Sequence, residues 1–189
     1  MISLTRPPCP DPRALRTNYR HPPNKAALKA ASFDKCMYCE SKVSHVYFGD
    51  VEHIKPKDLF PDLEFNWDNL GFVCAKCNNA KLNQWHDDAP YVNAYEEDPG
   101  IHLAAVGAWV LHRNGSERGE LTWRDISLNR PNLVEQRGAR IKAIADLVDK
   151  VNRTRNLPLR AALDAELDRE VEDDTPYSMV ARAVLSALR

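Results

Sequence analysis

The sequence has 189 residues, of which 43% are hydrophobic, and its formal net charge is −1. This length suits one domain, or one domain with an appended subdomain, that buries a core. There is no run of about 18 apolar residues, and the N-terminal residues lack the apolar core of a signal peptide. We therefore expect no membrane span and no secretory signal, and we predict a cytoplasmic protein.

Residues 1–35 form a basic leader that is rich in proline up to about residue 23. The prolines predict an extended path over the surface, interrupted by one short helix at 13–19. Asn24 is a predicted N-cap for a second helix that ends near Phe33. The basic charge is either an ordinary solvated face or a surface that meets phosphates.

Two Cys-x-x-Cys pairs follow, Cys36/Cys39 and Cys74/Cys77. In a reducing compartment such pairs indicate a metal rather than disulfides, and four thiolates complete a tetrahedral Zn²⁺ site. With four protein sulfurs the zinc has no open position, so we predict a structural role for it. Cys9 remains as an ordinary free thiol.

Between the Cys pairs, residues 43–48 and 51–54 favour the two strands of a hairpin broken at Gly49. Residues 66–70 predict a turn that leads into a short apolar piece, and residues 75–85 predict a helix. Farther along, AVGAWVLHR and ELTWRDI, joined by the turn NGSERG, predict a second hairpin. Residues 132–151, 159–171 and 176–188 predict helices. Seven acidic residues fall between 164 and 174.

Acid, histidine and asparagine residues lie between and beside the two Cys pairs. Glu52-His53 precedes Pro56-Lys57, Asn69 ends the piece WDN, and Asn78 directly follows Cys77. Neighbours in a regular strand point to opposite faces, so Glu52 and His53 can share a pocket only at a twisted strand end.

The order C-x-x-C, E-H-x-x-P-K, W-D-N and C-x-x-C-N-x-x-K closely resembles the HNH endonucleases, whose site is a ββα-metal unit. Within them the chain is most similar to the PtuB-like group of Septu and retron-associated anti-phage defence systems. Residues 126–137 and 176–185 resemble that group less specifically. We predict an α+β protein with three parts: the leader (1–35), an HNH core with the zinc site (36–90), and a mainly helical region with a small hairpin (91–189) that docks a partner.

The resemblance implies a role for each motif residue. Glu52 and Asn78 bind a catalytic Mg²⁺ or Mn²⁺, His53 is the general base, and Asn69 orients His53. Histidine suits the role of base because its pKa lies near neutrality, and a hard cation suits oxygen ligands. The resemblance also implies a DNA substrate and a separate ATPase partner. The chain has no phosphate-binding loop of its own.

The sequence departs from the three-ligand HNH pattern, which has a second histidine where Leu82 stands here. Either Asn83 or His86 compensates, or two protein ligands suffice. His45 and His86 lie off the motif positions and are expected bystanders. Lys55, Lys57, Lys76 and Lys81 are candidates for phosphate contact.

Two other functions stay open on the sequence alone. One is a zinc-stabilised module that binds nucleic acid or protein without cleaving it. The other is a toxin-like DNase or RNase that acts without a partner.

Overall fold

The computed structural model describes residues 1–43 and 49–189. It contains two antiparallel two-stranded sheets and helices that dominate the second half of the chain. The helices are α1 (Pro12–Leu15), α2 (Pro22–Ala31), α3 (Ala75–Lys81), α4 (Glu117–Asp125), α5 (Pro131–Arg153), α6 (Leu157–Arg169) and α7 (Ser178–Leu188). The strands are β1 (Asp50–His53), β2 (Leu70–Val73), β3 (Leu103–Val106) and β4 (Trp109–His112). The predicted α+β class is confirmed.

The first sheet and α3 form the predicted ββα core. Strand β1 pairs with β2, with Glu52 opposite Gly71 and His53 opposite Leu70. Residue Phe72 of β2 is fully buried, and Cys74 leads directly into α3. The predicted partner strand for β1, residues 43–48, falls largely on residues 44–48. Those residues, with His45, lie outside the described part of the chain.

The prediction of the second hairpin is wrong in part. Both of its strands, β3 and β4, come from the single stretch AVGAWVLHR and its upstream residues, and they turn at Gly107-Ala108. The piece ELTWRDI belongs instead to α4. Ser116 caps that helix by accepting a hydrogen bond from the Gly119 N–H, and Glu117 and Glu120 lie in its first turn, where negative charge is favoured.

Helices α5, α6 and α7 form a second, smaller core, whose buried residues include Ile144, Leu147, Leu167, Ala181 and Leu185. Helix α7 also contacts β3, and Tyr177 and Val180 belong to the main core. The helical region therefore contributes residues to the same core as the ββα unit. None of the helices in the described ranges has the length and apolar character that a bilayer crossing requires.

The leader is extended, as predicted, but its first residues are part of the core. Met1, Ile2 and Leu4 are buried, and the Leu4 N–H donates to the carbonyl of Ala94. Asn24 lies inside α2 rather than capping it, because Pro22 begins the helix. Its amide instead exchanges two hydrogen bonds with the backbone of Asp11.

Arg6 ties the leader to the chain that enters β2. Its guanidinium donates to the carbonyls of Trp67, Asp68 and Leu70 at 2.8 to 2.9 Å, and it lies 4.1 Å from the centre of the Tyr95 ring. Three carbonyls held by one cation fix the turn that carries Asn69.

We expect Arg6→Ala to lower the free energy of unfolding by about 2–3 kcal/mol, since hydrogen bonds to a charged donor are lost and the partly buried carbonyls of Trp67 and Leu70 are left unpaired. Chemical denaturation monitored by circular dichroism measures this. Arg13→Ala, in the same leader and exposed, is the control. Equal midpoints for the two variants would contradict this account of Arg6.

Candidate active site and zinc centre

The four sulfurs of Cys36, Cys39, Cys74 and Cys77 lie within 4.8 Å of one another. The Cys39 and Cys74 sulfurs are 3.8 Å apart. A tetrahedral zinc with Zn–S bonds of about 2.3 Å requires sulfurs about 3.8 Å apart, so the cluster fits this metal. Cysteines 36, 39 and 77 are buried, which agrees with a structural site.

Arg130, immediately before α5, lies against the sulfur cluster. Its guanidinium donates to the Cys77 sulfur at 3.4 Å and lies 3.8 Å from the Cys74 sulfur. Four thiolates around Zn²⁺ leave a net charge of −2, and a guanidinium beside them offsets part of it. No local sequence pattern predicts this contact, because 53 residues separate Arg130 from Cys77.

On the other side of the ββα unit, Glu52, His53 and Asn78 line one cavity of about 170 Å³. Glu52 and His53 both reach it because β1 ends at His53, where the strict alternation of faces ends as well. Asn78 reaches it from the first turns of α3, directly after the zinc ligand Cys77. The structure thus brings three of the four predicted catalytic residues to one cavity.

The His53 ring is held in one orientation. Its Nε2 lies 2.9 Å from the carbonyl oxygen of Glu64, which can only accept, so Nε2 carries the proton and Nδ1 keeps its lone pair. Burial is the main cause that lowers the pKa of His53, and the Glu64 carbonyl opposes it. A neutral imidazole with a free Nδ1 is the form that accepts a proton.

Asn69 acts behind this cavity rather than on the imidazole. Its side-chain amide donates to the carbonyls of Lys55 and Leu63, and its oxygen accepts from the Lys55 N–H at 2.8 Å. These bonds close the loop from 54 to 69. Because Leu63 directly precedes Glu64, Asn69 fixes the carbonyl that holds His53.

Lys81 is not available for phosphate, contrary to the expectation from sequence. It is fully buried, and its ammonium donates to a Glu52 carboxylate oxygen at 2.7 Å and to the His53 carbonyl at 2.9 Å. The reason is its position on the inward face of α3. Burial raises the pKa of Glu52 although the charge of Lys81 opposes this shift.

Asp50 is a neighbour that the sequence analysis missed. Its carboxylate lies 3.4 Å from the side-chain nitrogen of Asn78, and its charge contributes to the raised pKa of Glu52. The available signal was its spacing, since residues 50 and 52 share one face of a strand. Carboxylate and amide oxygens, such as those of Glu52 and Asn78, are the ligand types that Mg²⁺ and Mn²⁺ prefer, so these two residues fit a hard divalent cation, while Asp50 does not line the cavity.

The two suggested substitutes for the missing histidine are engaged elsewhere. Asn83 lines the cavity, but its side chain donates to Asp58 at 2.6 Å. His86 lies 2.9 Å from the carboxylate of Asp125 and does not line the cavity. Leu82 is on the rim with 64% of its surface exposed.

The other candidate lysines differ in their surroundings. The Lys55 ammonium lies over the rings of Phe60 and Trp85, and Lys57 lines the cavity while pairing with Glu64 at 3.2 Å. Lys76 lies near the zinc, beside a different cavity that Arg130 also lines. Of the four lysines, Lys57 is the one that lines the catalytic cavity.

The fold, the thiolate cluster and the cavity agree with a comparison against known families. Residues 36–84 match the family model described as HNH endonuclease. This match agrees with the resemblance found in the motifs, and residues 36–84 are similar to the HNH endonuclease domain.

Two curated relatives are both named Septu protein PtuB. The protein of Bacillus thuringiensis is 36% identical over 80 residues, which cover 42% of this chain and 31% of the relative. The protein of Bacillus mycoides (strain KBAB4) is 25% identical over 189 residues, which cover 82% of this chain and 64% of the relative. The chain therefore spans less than two thirds of the length of either relative.

We expect Lys81→Met to lower the free energy of unfolding by about 3–5 kcal/mol, because it leaves the buried Glu52 carboxylate without a partner. Lys76→Met, an exposed lysine on the same helix, is the matched control. Urea denaturation of both variants at neutral pH measures the difference. A loss for Lys81→Met no larger than for Lys76→Met would show that the ion pair is dispensable.

We expect Arg130→Ala to release zinc to a chelator at least about tenfold faster than the parent, since partners of metal ligands typically contribute 10- to 100-fold to metal affinity. A colorimetric zinc indicator follows the release. Arg160→Ala, an exposed arginine on α6, should release zinc at the parent rate. Identical rates for Arg130→Ala and the parent would show that the guanidinium does not protect the site.

Proposed function

We propose that the protein is a metal-dependent endonuclease that hydrolyses phosphodiester bonds of DNA. The observation that carries this proposal is the shared cavity of Glu52, His53 and Asn78, with the Nδ1 of His53 left free as a proton acceptor. The match of residues 36–84 to the HNH endonuclease family model supports it.

In this proposal His53 removes the proton from the attacking water. The Glu64 carbonyl holds the ring so that Nδ1 is the accepting atom, and Asn69 keeps that carbonyl in place through the loop. Because burial lowers the pKa of His53, the neutral base is the dominant form near pH 7.

Glu52 and Asn78 would hold the catalytic Mg²⁺ or Mn²⁺, and the carboxylate of Asp50 lies beside Asn78. A bound divalent cation stabilises negative charge on the phosphate and on the leaving oxygen. The charge of Lys81 favours the ionised form of Glu52, and its hydrogen bond fixes the peptide of His53, so Lys81 positions the site without touching the substrate.

We also propose that the nuclease works in the cytoplasm as part of an anti-phage defence system together with an ATPase. The relatives' shared name, Septu protein PtuB, supports the defence role. The lack of a G-x-x-x-x-G-K-[ST] loop in this sequence supports a partner that supplies nucleotide hydrolysis. Residues 91–189, which lie beyond the HNH domain, are the proposed docking region.

Cleavage of supercoiled and single-stranded DNA in Mg²⁺ or Mn²⁺ tests the proposal, with and without an ATPase encoded beside the gene. We expect His53→Ala to lower the rate at least about 100-fold, the usual contribution of a general base, and EDTA to stop cleavage. His86→Ala is the matched control, because His86 lies outside the cavity, and it should cut like the parent.

Zinc content and thermal midpoint, measured on the same preparations, separate loss of chemistry from loss of fold. A folded, zinc-loaded protein that cuts no DNA or RNA under any of these conditions would favour a binding module. Cleavage and toxicity without any partner would favour the toxin-like alternative.

A further inference from the structure

The cavity that holds Glu52, His53 and Asn78 is also lined by two residues of the leader, Tyr19 and Arg20. Both lie outside the residues that match the HNH endonuclease family model. We propose that Tyr19 and Arg20, together with Lys57, form a phosphate-binding wall that holds a backbone phosphate of the nucleic acid beside the cleavage position. This inference rests on the proposed function, since it names how the same site takes its substrate.

The wall is built into the fold and is not part of a free tail. The Tyr19 ring meets the His53 ring edge to face, with ring centres 4.5 Å apart and planes at 65°. Residues 16–21 connect α1 to α2, and the Arg20 N–H donates to the side chain of Asn18 at 3.0 Å. The paired hydrogen bonds between Asn24 and Asp11 hold the two helices together across this connection.

Two cations flank the Tyr19 ring. The Arg20 guanidinium lies 5.1 Å from its centre and the Lys57 ammonium 5.3 Å. Within residues 1–43 and 49–189, no acid pairs with Arg20, whereas Lys57 pairs with Glu64 at 3.2 Å. An unpaired guanidinium beside an ammonium on one aromatic surface suits a phosphate, which accepts hydrogen bonds from both.

One of the two acids that line this cavity already has a charge partner, since Glu52 is paired with Lys81. Asp58 accepts a hydrogen bond from the neutral amide of Asn83 and keeps its charge. Arg20 therefore offers a positive charge that none of the described acids pairs with, and the Lys57 ammonium, which is shared with Glu64, adds a second.

The size of the cavity agrees with a backbone phosphate rather than a whole nucleotide. At about 170 Å³ it lies below the roughly 300–1,000 Å³ of pockets that enclose small molecules. A phosphodiester strand that crosses the opening needs only to present one phosphate to the two cations. Contacts of this kind position the strand and read no base sequence.

The experiment measures binding of fluorescein-labelled DNA and RNA oligonucleotides of matched sequence, single-stranded and duplex, in buffer without divalent cations. Because nothing is cut, binding is read apart from catalysis. The variants are Arg20→Gln and Lys57→Gln, and the matched control is Arg16→Gln, an exposed leader arginine that does not line the cavity.

We expect Arg20→Gln and Lys57→Gln each to weaken binding about five- to tenfold at 0.1 M salt. Each should also reduce the slope of log K against log salt by about 0.7–0.9, the change for one lost phosphate contact. Arg16→Gln should match the parent. The arms with DNA and RNA show which backbone the wall prefers.

Tyr19 is tested by cleavage kinetics. Tyr19→Ala should lower kcat, because the ring contact with His53 is lost, and Tyr19→Phe, which keeps the ring, should lower kcat less. Arg20→Gln should raise KM and leave kcat unchanged, as expected for a contact made equally before and during reaction.

The inference is overturned if the parent binds nucleic acid but Arg20→Gln and Lys57→Gln bind as Arg16→Gln does, with the same salt slope. It is also overturned if the parent binds no oligonucleotide. Failure of the proposed function looks different: the parent then binds with the expected salt slopes in the variants but cuts nothing when Mg²⁺ or Mn²⁺ is added.

Discussion

The convergence of four thiolates on one point is the constraint on which the rest of the structure depends. Two of the sulfurs precede β1, and the other two lie at the start of α3, so a metal bound there closes the ββα unit. The segment between Cys36 and Cys39 is also tied to β2, since the Met37 N–H donates to the carbonyl of Phe72. Buried thiolates without a cation would repel one another, and this makes the metal part of the fold.

The sulfur cluster is connected both to the helical region and to the cavity of Glu52 and His53. Asn78 follows Cys77, and the guanidinium of Arg130 touches two of the sulfurs where α5 begins. The hydroxyls of Ser41 and Tyr177 are 3.1 Å apart, and they connect the chain after the first Cys pair to the chain that enters α7. A metal held by the four sulfurs would therefore be connected through these contacts both to the cavity and to the C-terminal helices.

Motif spacing in the sequence was enough to predict the thiolate cluster, and it singled out Glu52, His53 and Asn78, which the structure places at one cavity. These features depend on local chemistry: short Cys spacings, an acid beside a histidine, and an asparagine after a ligand. The sequence was not enough for the contacts that depend on distant packing. Lys81 beside Glu52 and Tyr19 against His53 join parts of the chain that no local pattern relates.

The misplaced strand in the second hairpin has a different cause. Thr122 and Trp123 have side chains that favour strands, and in the prediction this preference outweighed the Ser116 cap and the acids after it. In the structure Leu121 and Thr122 are buried on one side of α4, where the Thr122 hydroxyl accepts from the Val92 N–H. Tertiary burial decided between two local preferences of similar strength.

The acidic run near the C-terminus and the basic leader are both highly charged segments, but their charges have different partners in the fold. The acids between 168 and 174 are largely matched by arginines: Arg169 pairs with Asp174, Arg182 with Asp173, and Arg189 with Asp168. This run is a self-neutralised surface and exerts less pull on a basic partner than its composition suggests.

The positive charges of the basic leader have two kinds of surroundings. Arg6 and Lys35 are used inside the structure, where they bond to backbone carbonyls, and Lys25 donates to the carbonyl of Gly49. Arg20 lines the cavity of Glu52 and His53, and none of the described acids pairs with it. The leader's positive charges therefore occupy two kinds of place: some hold the chain around the ββα unit, and Arg20 lies at the cavity, where the proposed phosphate contact would use it.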